Sequence, residues 1–176
     1  KYLGKKPEWF GLGFIQLKLS FHHRLHFWEP DLSTGVDPEE LHDHRYGFTS
    51  TVLAGEVEHD VYTFTPDDNG THEMCEVFCQ PEKSAPPKPL AIGHIHSDGC
   101  YKLVAGSKYS FPVGKFHKGS SLLAVTYLER EKPSKDVARL IRPLNQEDRW
   151  TCPFSGKLSE NDCWDAIEKI ISSAQR

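Results

Sequence analysis

Short segments in which apolar and polar residues alternate follow one another through residues 12–130. In residues 14–21, Ile15, Leu17 and Leu19 fall on one face of such a segment, and Gln16 falls on the other. Alternation of this kind is typical of β-strands that bury one face. The sequence therefore predicts an all-β protein built as a sandwich or a small barrel.

Turn residues separate the predicted strands. Gly55 is expected to end one strand, and the sequence PDDNG within residues 65–71 is expected to form a hairpin turn, because Asn-Gly tolerates positive φ. Residues 81–89 are rich in proline and are interpreted as a surface loop, since too little chain lies on either side for two independent cores. The other strands are predicted at 49–53, 57–63, 72–79, 90–96, 101–104, 109–111 and 122–129.

The pattern near the C-terminus is that of a helix. Ser159 and Asp162 are three residues apart, which is the spacing of a capping box. The predicted apolar face of this helix comprises Trp164, Ile167, Ile170 and Ile171. We expect the helix to pack on the outside of a sheet. The 176 residues are predicted to form a single domain, with a barrel over about 12–130 and a C-terminal extension and helix over about 131–176.

Composition excludes several classes of protein. Hydrophobic residues make up 38% of the chain and charged residues 26%, which excludes a disordered protein and a coiled coil. No apolar run is long enough for a transmembrane helix, and a net charge of −4 without a basic stripe argues against nucleic-acid binding. The five cysteines lack CxxC spacing, so reduced thiols and a cytoplasmic location are expected.

Ten histidines are a high number for this length, and histidine is the commonest metal ligand among side chains. His42 and His44 are two residues apart, which on a strand places both on the same face. His117 follows a Pro112-x-Gly114 turn, at the expected start of another strand. If the two segments face each other, the three histidines form a facial metal site with positions open to water, substrate or O₂.

The segment that ends in His117 resembles the second motif of the cupin superfamily, a group of small barrels. Gly106, Pro112, Gly114 and His117 match that motif at every spacing, and Ser121 stands where the family usually has asparagine. The resemblance implies a cupin double-stranded β-helix, also called a jelly-roll barrel, with His117 as a metal ligand.

The earlier segment resembles the first cupin motif. His42, His44 and Gly55 match it, whereas Gly35 lies one residue too far upstream, and Phe48 occupies the position of the acidic ligand. A set of three histidines without an acid is similar to the thiol dioxygenase branch, which binds Fe(II).

That branch includes cysteine dioxygenase, whose last strand carries a Ser-x-His-x-Tyr element. Only the tyrosine of this element is present here, as Tyr127. The resemblance therefore argues against cysteine itself as the substrate. A neutral three-histidine site would leave the metal with its full +2 charge and favour an anionic or thiolate substrate.

Four further residues are candidates for a substrate site. Tyr127 is expected on an inward face, where its phenol could donate a hydrogen bond, and His59 could manage a proton. Arg24 could bind a substrate carboxylate through its planar fork, and His96 forms a second i, i+2 pair with His94. Each also has a structural interpretation, as a core residue for Tyr127 and His59 and as a surface residue for Arg24 and His96.

The leading functional hypothesis is a mononuclear non-haem metal enzyme that oxidises a small polar metabolite with O₂. Its cofactor would be one divalent metal ion, with Fe(II) preferred and zinc, nickel or manganese as alternatives. A second hypothesis is a non-catalytic cupin that binds a small ligand or a protein partner. A third is a metal-dependent isomerase or lyase. A homodimer is compatible with the sequence, although nothing in it requires one.

Overall fold

The computed structural model describes residues 4–33, 41–77, 86–144 and 158–174. The prediction of a mostly antiparallel all-β protein with a C-terminal helix is confirmed, and the arrangement is consistent with a cupin β-sandwich. The elements in these ranges are β1 (Pro7–Phe10), β2 (Leu12–Lys18), β3 (His23–Ser33), β4 (Leu41–His42), β5 (Phe48–Pro66), β6 (His72–Val77), β7 (Lys88–Val104), β8 (Lys108–Phe111), β9 (Phe116–Arg130), β10 (Ala138–Pro143) and α1 (Glu160–Ala174).

The order of the strands closes the sheet on itself. The order is β1-β2-β3-β9-β4-β10-β6-β7-β5-β8, and β9 pairs in addition with β5. This extra pairing completes a ring through β9, β4, β10, β6, β7 and β5, which satisfies the backbone groups that an open sheet would leave at an edge. Strands β1, β2 and β3 continue the sheet outward from β9.

Two of the strands each join segments that the sequence predicts as separate strands. Strand β5 includes both 49–53 and 57–63, because Gly55 does not end the strand but lies inside it with φ at 71°. A Cβ atom at Gly55 would lie 2.0 Å from the carbonyl oxygen of Leu123, so only glycine allows β5 and β9 to approach here. Strand β7 likewise includes both 90–96 and 101–104.

The predicted alternation along β2 separates two layers. Ile15 and Leu17 belong to a core cluster that includes Ile167 of α1. Phe14 and Gln16, on the other face of the strand, line a cavity. The helix therefore packs on the outside of the sheet, as the sequence predicts, and the cavity lies on the inner side.

Helix α1 begins with the predicted capping box. The Asp162 amide donates to Ser159 Oγ at 3.2 Å, and the Ser159 amide donates to the Asp162 carboxylate at 3.2 Å. The predicted apolar face is wrong in part: Ile167 and Ile170 are buried, but Ile171 is exposed and Cys163 takes its place in the buried stripe. Positions 163, 167 and 170 follow the i, i+4, i+7 spacing of one helical face, whereas 171 lies past its edge.

The burial of α1 gives a matched pair of substitutions. Ile170 is 0% exposed and Ile171 is 38% exposed. We expect Ile170→Ala to lower the free energy of unfolding by about 2–5 kcal/mol, because it leaves a cavity in the core, and Ile171→Ala to change it by about 0.5 kcal/mol or less. Urea denaturation followed by circular dichroism measures both. Equal losses would show that the helix packs through a different face.

Within the described ranges, Cys100 and Cys163 have free thiols. No helix in the same ranges is long and apolar enough to cross a membrane.

Candidate metal centre

Strand pairing brings the two histidine segments together. His42 on β4 lies directly opposite His117 on β9, and His44 follows two residues after His42. Each of the three histidines offers a ring nitrogen, and these nitrogens all lie within 4.8 Å of one another. Nε2 of His44 is 2.8 Å from Nε2 of His117. The sequence-predicted trio therefore forms a cluster, which includes no Asp, Glu or Cys of the described residues.

The 2.8 Å separation of His44 and His117 fits two ligands of one metal ion. Imidazole nitrogens bind ions such as zinc at about 2.0–2.1 Å, so two ligands at a right angle lie about 3 Å apart. Burial, and then the neighbouring His42, hold the pKa of His44 and of His117 well below the usual histidine value. Neutral imidazole is the form that binds metal. These residues can therefore hold a divalent cation.

His59 on β5 lies directly behind His117. Its Nε2 is 2.7 Å from Nδ1 of His117, and burial lowers the pKa of His59 to about 4. A neutral His59 can accept the Nδ1 proton of His117, which leaves the lone pair of His117 Nε2 directed at the cluster. The sequence places His59 on an inward face, and the structure assigns it this orienting contact.

This contact predicts a moderate effect on metal affinity. We expect His59→Ala to weaken metal binding by about 10–100-fold, the usual effect of losing an outer partner of a ligand. His59→Gln should recover part of the affinity, because the glutamine oxygen can accept the same proton. Competition with a chromogenic chelator measures both variants. Equal affinity for wild type and His59→Ala would contradict the orienting role.

Phe48, which stands at the position of the acidic ligand in the motif, lies beside two of the histidines. Its buried ring lies with its centroid 5.1 Å from that of His44 and 5.9 Å from that of His117. The ring of Phe111 also contacts His117, at 4.5 Å between centroids. These rings exclude water from one side of the cluster and bring no negative charge to it.

Asp43 lies between His42, which is on β4, and His44, which follows the strand. It anchors the cluster to β10. Its carboxylate accepts hydrogen bonds from the Arg139 amide at 2.6 Å and from Arg139 Nε at 2.8 Å, and Lys135 Nζ lies 3.3 Å away. Arg139 Nη2 also donates to the carbonyl of Gly114, in the turn that precedes His117. One buried ion pair thus joins both ligand-bearing segments.

A cavity of about 1600 Å³ opens over the cluster. The three histidines and His59 line it, and so does Arg24, one of the predicted substrate-binding residues. Arg24 Nη1 donates to Gln16 Oε1 at 2.7 Å and to the Tyr46 hydroxyl at 3.3 Å. The ring of Tyr46 in turn contacts His44, with centroids 5.4 Å apart. Arg24 is therefore two contacts away from the candidate metal ligands.

The structure does not bring Tyr127 to the cluster. Between Ser120 and Leu123, β9 has one residue more than the facing part of β5, and this bulge shifts the alternation of its side chains. Beyond the bulge Thr126 lines the cavity and Tyr127 does not. The Tyr127 hydroxyl lies 2.6 Å from Nδ1 of His23, and the two rings stack. The expectation that Tyr127 points inward is corrected accordingly.

His96 also lies away from the cavity. It is exposed on β7, opposite Thr63 of β5, and it does not line the cavity wall. Its companion His94 lies 3.6 Å from the Asp67 carboxylate. The second histidine pair is therefore a surface feature, which corrects the predicted place of His96 in a substrate site.

Three residues of the site have no role in the sequence-based prediction. Gln16 and His26 line the cavity, and Asp43 holds the cluster. The alternation along β2 placed Gln16 opposite the apolar face, and Asp43 stands between two candidate ligands. His26 lies in a group of histidines that the sequence alone favours as structural.

Comparisons with known proteins assign no family. No family model matches the sequence, and no curated protein matches it. Among solved structures, the chain is similar to one described as hydroquinone 1,2-dioxygenase PnpCD in complex with Cd²⁺ and 4-hydroxybenzonitrile, with 14% identity and a TM-score of 0.36. The alignment covers 66% of this chain and 62% of the other. A likeness this distant assigns no activity to the chain.

Proposed function

We propose that this protein is a metal-dependent cupin enzyme with a mononuclear non-haem Fe(II) centre, which oxidises a small organic substrate with O₂. The observation that carries the proposal is the cluster of three imidazole nitrogens within 4.8 Å, beside a cavity and without an acidic ligand. Neutral nitrogen ligands with open positions suit redox-active divalent metals.

The described residues divide the work at such a site. His42, His44 and His117 would hold the ion, which when bound would supply the redox chemistry and polarise the substrate. His59 holds the proton of His117 Nδ1 and so fixes the ring that ligates. Phe48 and Phe111 keep water from one side, and Arg24 supplies positive charge within the cavity.

Metal content and oxygen uptake test this function. The untagged protein, purified without chelator, would be analysed for metals and then reconstituted anaerobically with Fe(II). We expect about one equivalent of iron per chain, and oxygen consumption that depends on both iron and an organic substrate. One equivalent of zinc or nickel without any oxygen uptake would overturn the oxidase proposal and favour isomerase or lyase chemistry.

A protein that binds no metal after reconstitution would overturn the enzyme proposal altogether. The cavity would then favour the second candidate, a non-catalytic cupin that binds a small ligand, because its volume of about 1600 Å³ exceeds the roughly 300–1000 Å³ of ordinary small-molecule sites and so leaves room for one.

A further inference from the structure

Arg24 is a partly buried cation without a counter-charge among the described residues. Its hydrogen bonds are made by Nη1, to the neutral groups of Gln16 and Tyr46. Nε is buried and has no partner. The carboxylate of Glu8 reaches Gln16 Nε2 at 3.3 Å but forms its ion pair with Lys18, at 2.6 Å. The guanidinium lines the cavity and forms no ion pair within the described part of the chain, so its charge is available to a ligand.

His26, next to Arg24 on the same face of β3, is a second unpartnered polar group. It is 8% exposed, lines the cavity, and its buried Nε2 has no hydrogen-bond partner. Burial, followed by the charge of Arg24, lowers the pKa of His26 to about 3. The ring is therefore neutral near pH 7 and offers a hydrogen bond without adding charge. A buried polar atom without a partner is costly, so a side-chain shift that exposes these two atoms to a ligand would relieve that cost.

Acidic side chains also line the cavity, but none of them forms an ion pair with Arg24 within the described part of the chain. They are Glu8, Asp43, Glu56, Glu58 and Asp136. Arg130, whose guanidinium lies 5.1 Å from the Tyr46 ring centroid, adds a second cation at the ring that Arg24 also contacts. The wall is therefore positive at this point, and a local positive charge attracts an anion.

An apolar surface adjoins this polar wall. The ring of Phe14 lies with its centroid 4.7 Å from that of His26 and 4.6 Å from that of Trp28. Both aromatic residues line the cavity. A ligand that places a charged group at Arg24 would therefore rest its body against these rings.

We infer that the cavity binds an organic monocarboxylate, with the carboxylate on the guanidinium of Arg24 beside His26 and the apolar body against Phe14 and Trp28. The single charge of Arg24 and the neutral ring of His26 match one negative charge, and a guanidinium edge matches the two oxygens of a carboxylate. This inference deepens the proposed function, on which it rests for calling the ligand a substrate. The carboxylate would lie near the metal cluster without occupying it.

Binding to the metal-free protein tests the inference separately from catalysis. Isothermal titration calorimetry would compare benzoate with benzamide, phenylacetate with phenylacetamide, and butyrate with butyramide. We expect each carboxylate to bind at least about tenfold more tightly than its amide, and the aromatic acids to bind more tightly than butyrate. Carboxylates that bind no better than their amides would overturn the inference, as would tighter binding of inorganic phosphate.

A variant locates the carboxylate. Arg24→Gln should weaken the binding of aromatic carboxylates by about tenfold or more and change the binding of the amides by less than about twofold. The carboxylate affinity of Arg24→Lys should lie between those of Arg24→Gln and wild type. Lys169→Gln is the matched control, since Lys169 is a surface cation paired with Glu29 on the outer side. If Arg24→Gln leaves the preference for carboxylates unchanged, the subsite lies elsewhere and the inference fails. The comparison of acids with amides in wild type stands even if this variant does not fold. Carboxylate binding by a protein that never binds metal would keep this inference and remove the proposed function.

Discussion

The substitution His117→Ala is expected to abolish stoichiometric metal binding. His117 lies opposite His42 in the β4–β9 pairing and 2.8 Å from His44, so its removal takes away one of three ligands. We expect the affinity to fall by more than about 100-fold, above the effect of losing an outer partner such as His59. Metal analysis after gel filtration, together with chelator competition, measures the loss.

His96→Ala is the matched control for this result. His96 belongs to the other i, i+2 histidine pair but is exposed and outside the cavity, so this variant should retain the full metal content. Because His117 is buried, His44→Ala provides a second test at a half-buried ligand. Retention of metal by both His117→Ala and His44→Ala would show that the cluster is not the metal site.

The candidate ligands could be predicted from sequence because they depend on local geometry. Two histidines at i, i+2 share a strand face, and the Pro112-x-Gly114 turn sets the start of β9. The same holds for the alternation of β2, which separates Ile15 from Gln16, and for the capping box of α1. Patterns that span only a few residues survive in the folded protein.

The wrong predictions within the sheet involve features that only strand pairing creates. The bulge between Ser120 and Leu123 shifts the alternation of β9 and turns Tyr127 to the outer layer. Gly55 lies inside a strand because β9 approaches it closely, which its own neighbours in sequence do not reveal. The surroundings of Arg24 likewise come from three separate segments, since Gln16 and Tyr46 meet it only in the fold.

Disruption of the Asp43–Arg139 ion pair is expected to cause a large loss of stability. The Asp43 side chain is 0% exposed and accepts hydrogen bonds from the amide and Nε of Arg139, whose Nη2 lies 2.7 Å from the same carboxylate. In Asp43→Asn the guanidinium loses its counter-charge, and the new amide group faces donors. We expect the free energy of unfolding to fall by about 3–5 kcal/mol, as when one partner of a buried pair is removed. Urea denaturation of the metal-free protein measures it.

Asp98→Asn serves as the surface control. Asp98 forms an exposed ion pair with Lys115, so this variant should change stability little.

A double-mutant cycle then separates the ion pair from other effects of the Asp43→Asn substitution. If the pair acts as a unit, Asp43→Asn combined with Arg139→Gln should cost clearly less than the two single losses added together. Additive losses would show that the Asp43 carboxylate stabilises the protein through other contacts, such as Lys135, and not through the Arg139 side chain. Since Arg139 also holds the carbonyl of Gly114, a coupled loss that also weakens metal binding would establish that one ion pair sets the distance between His44 and His117.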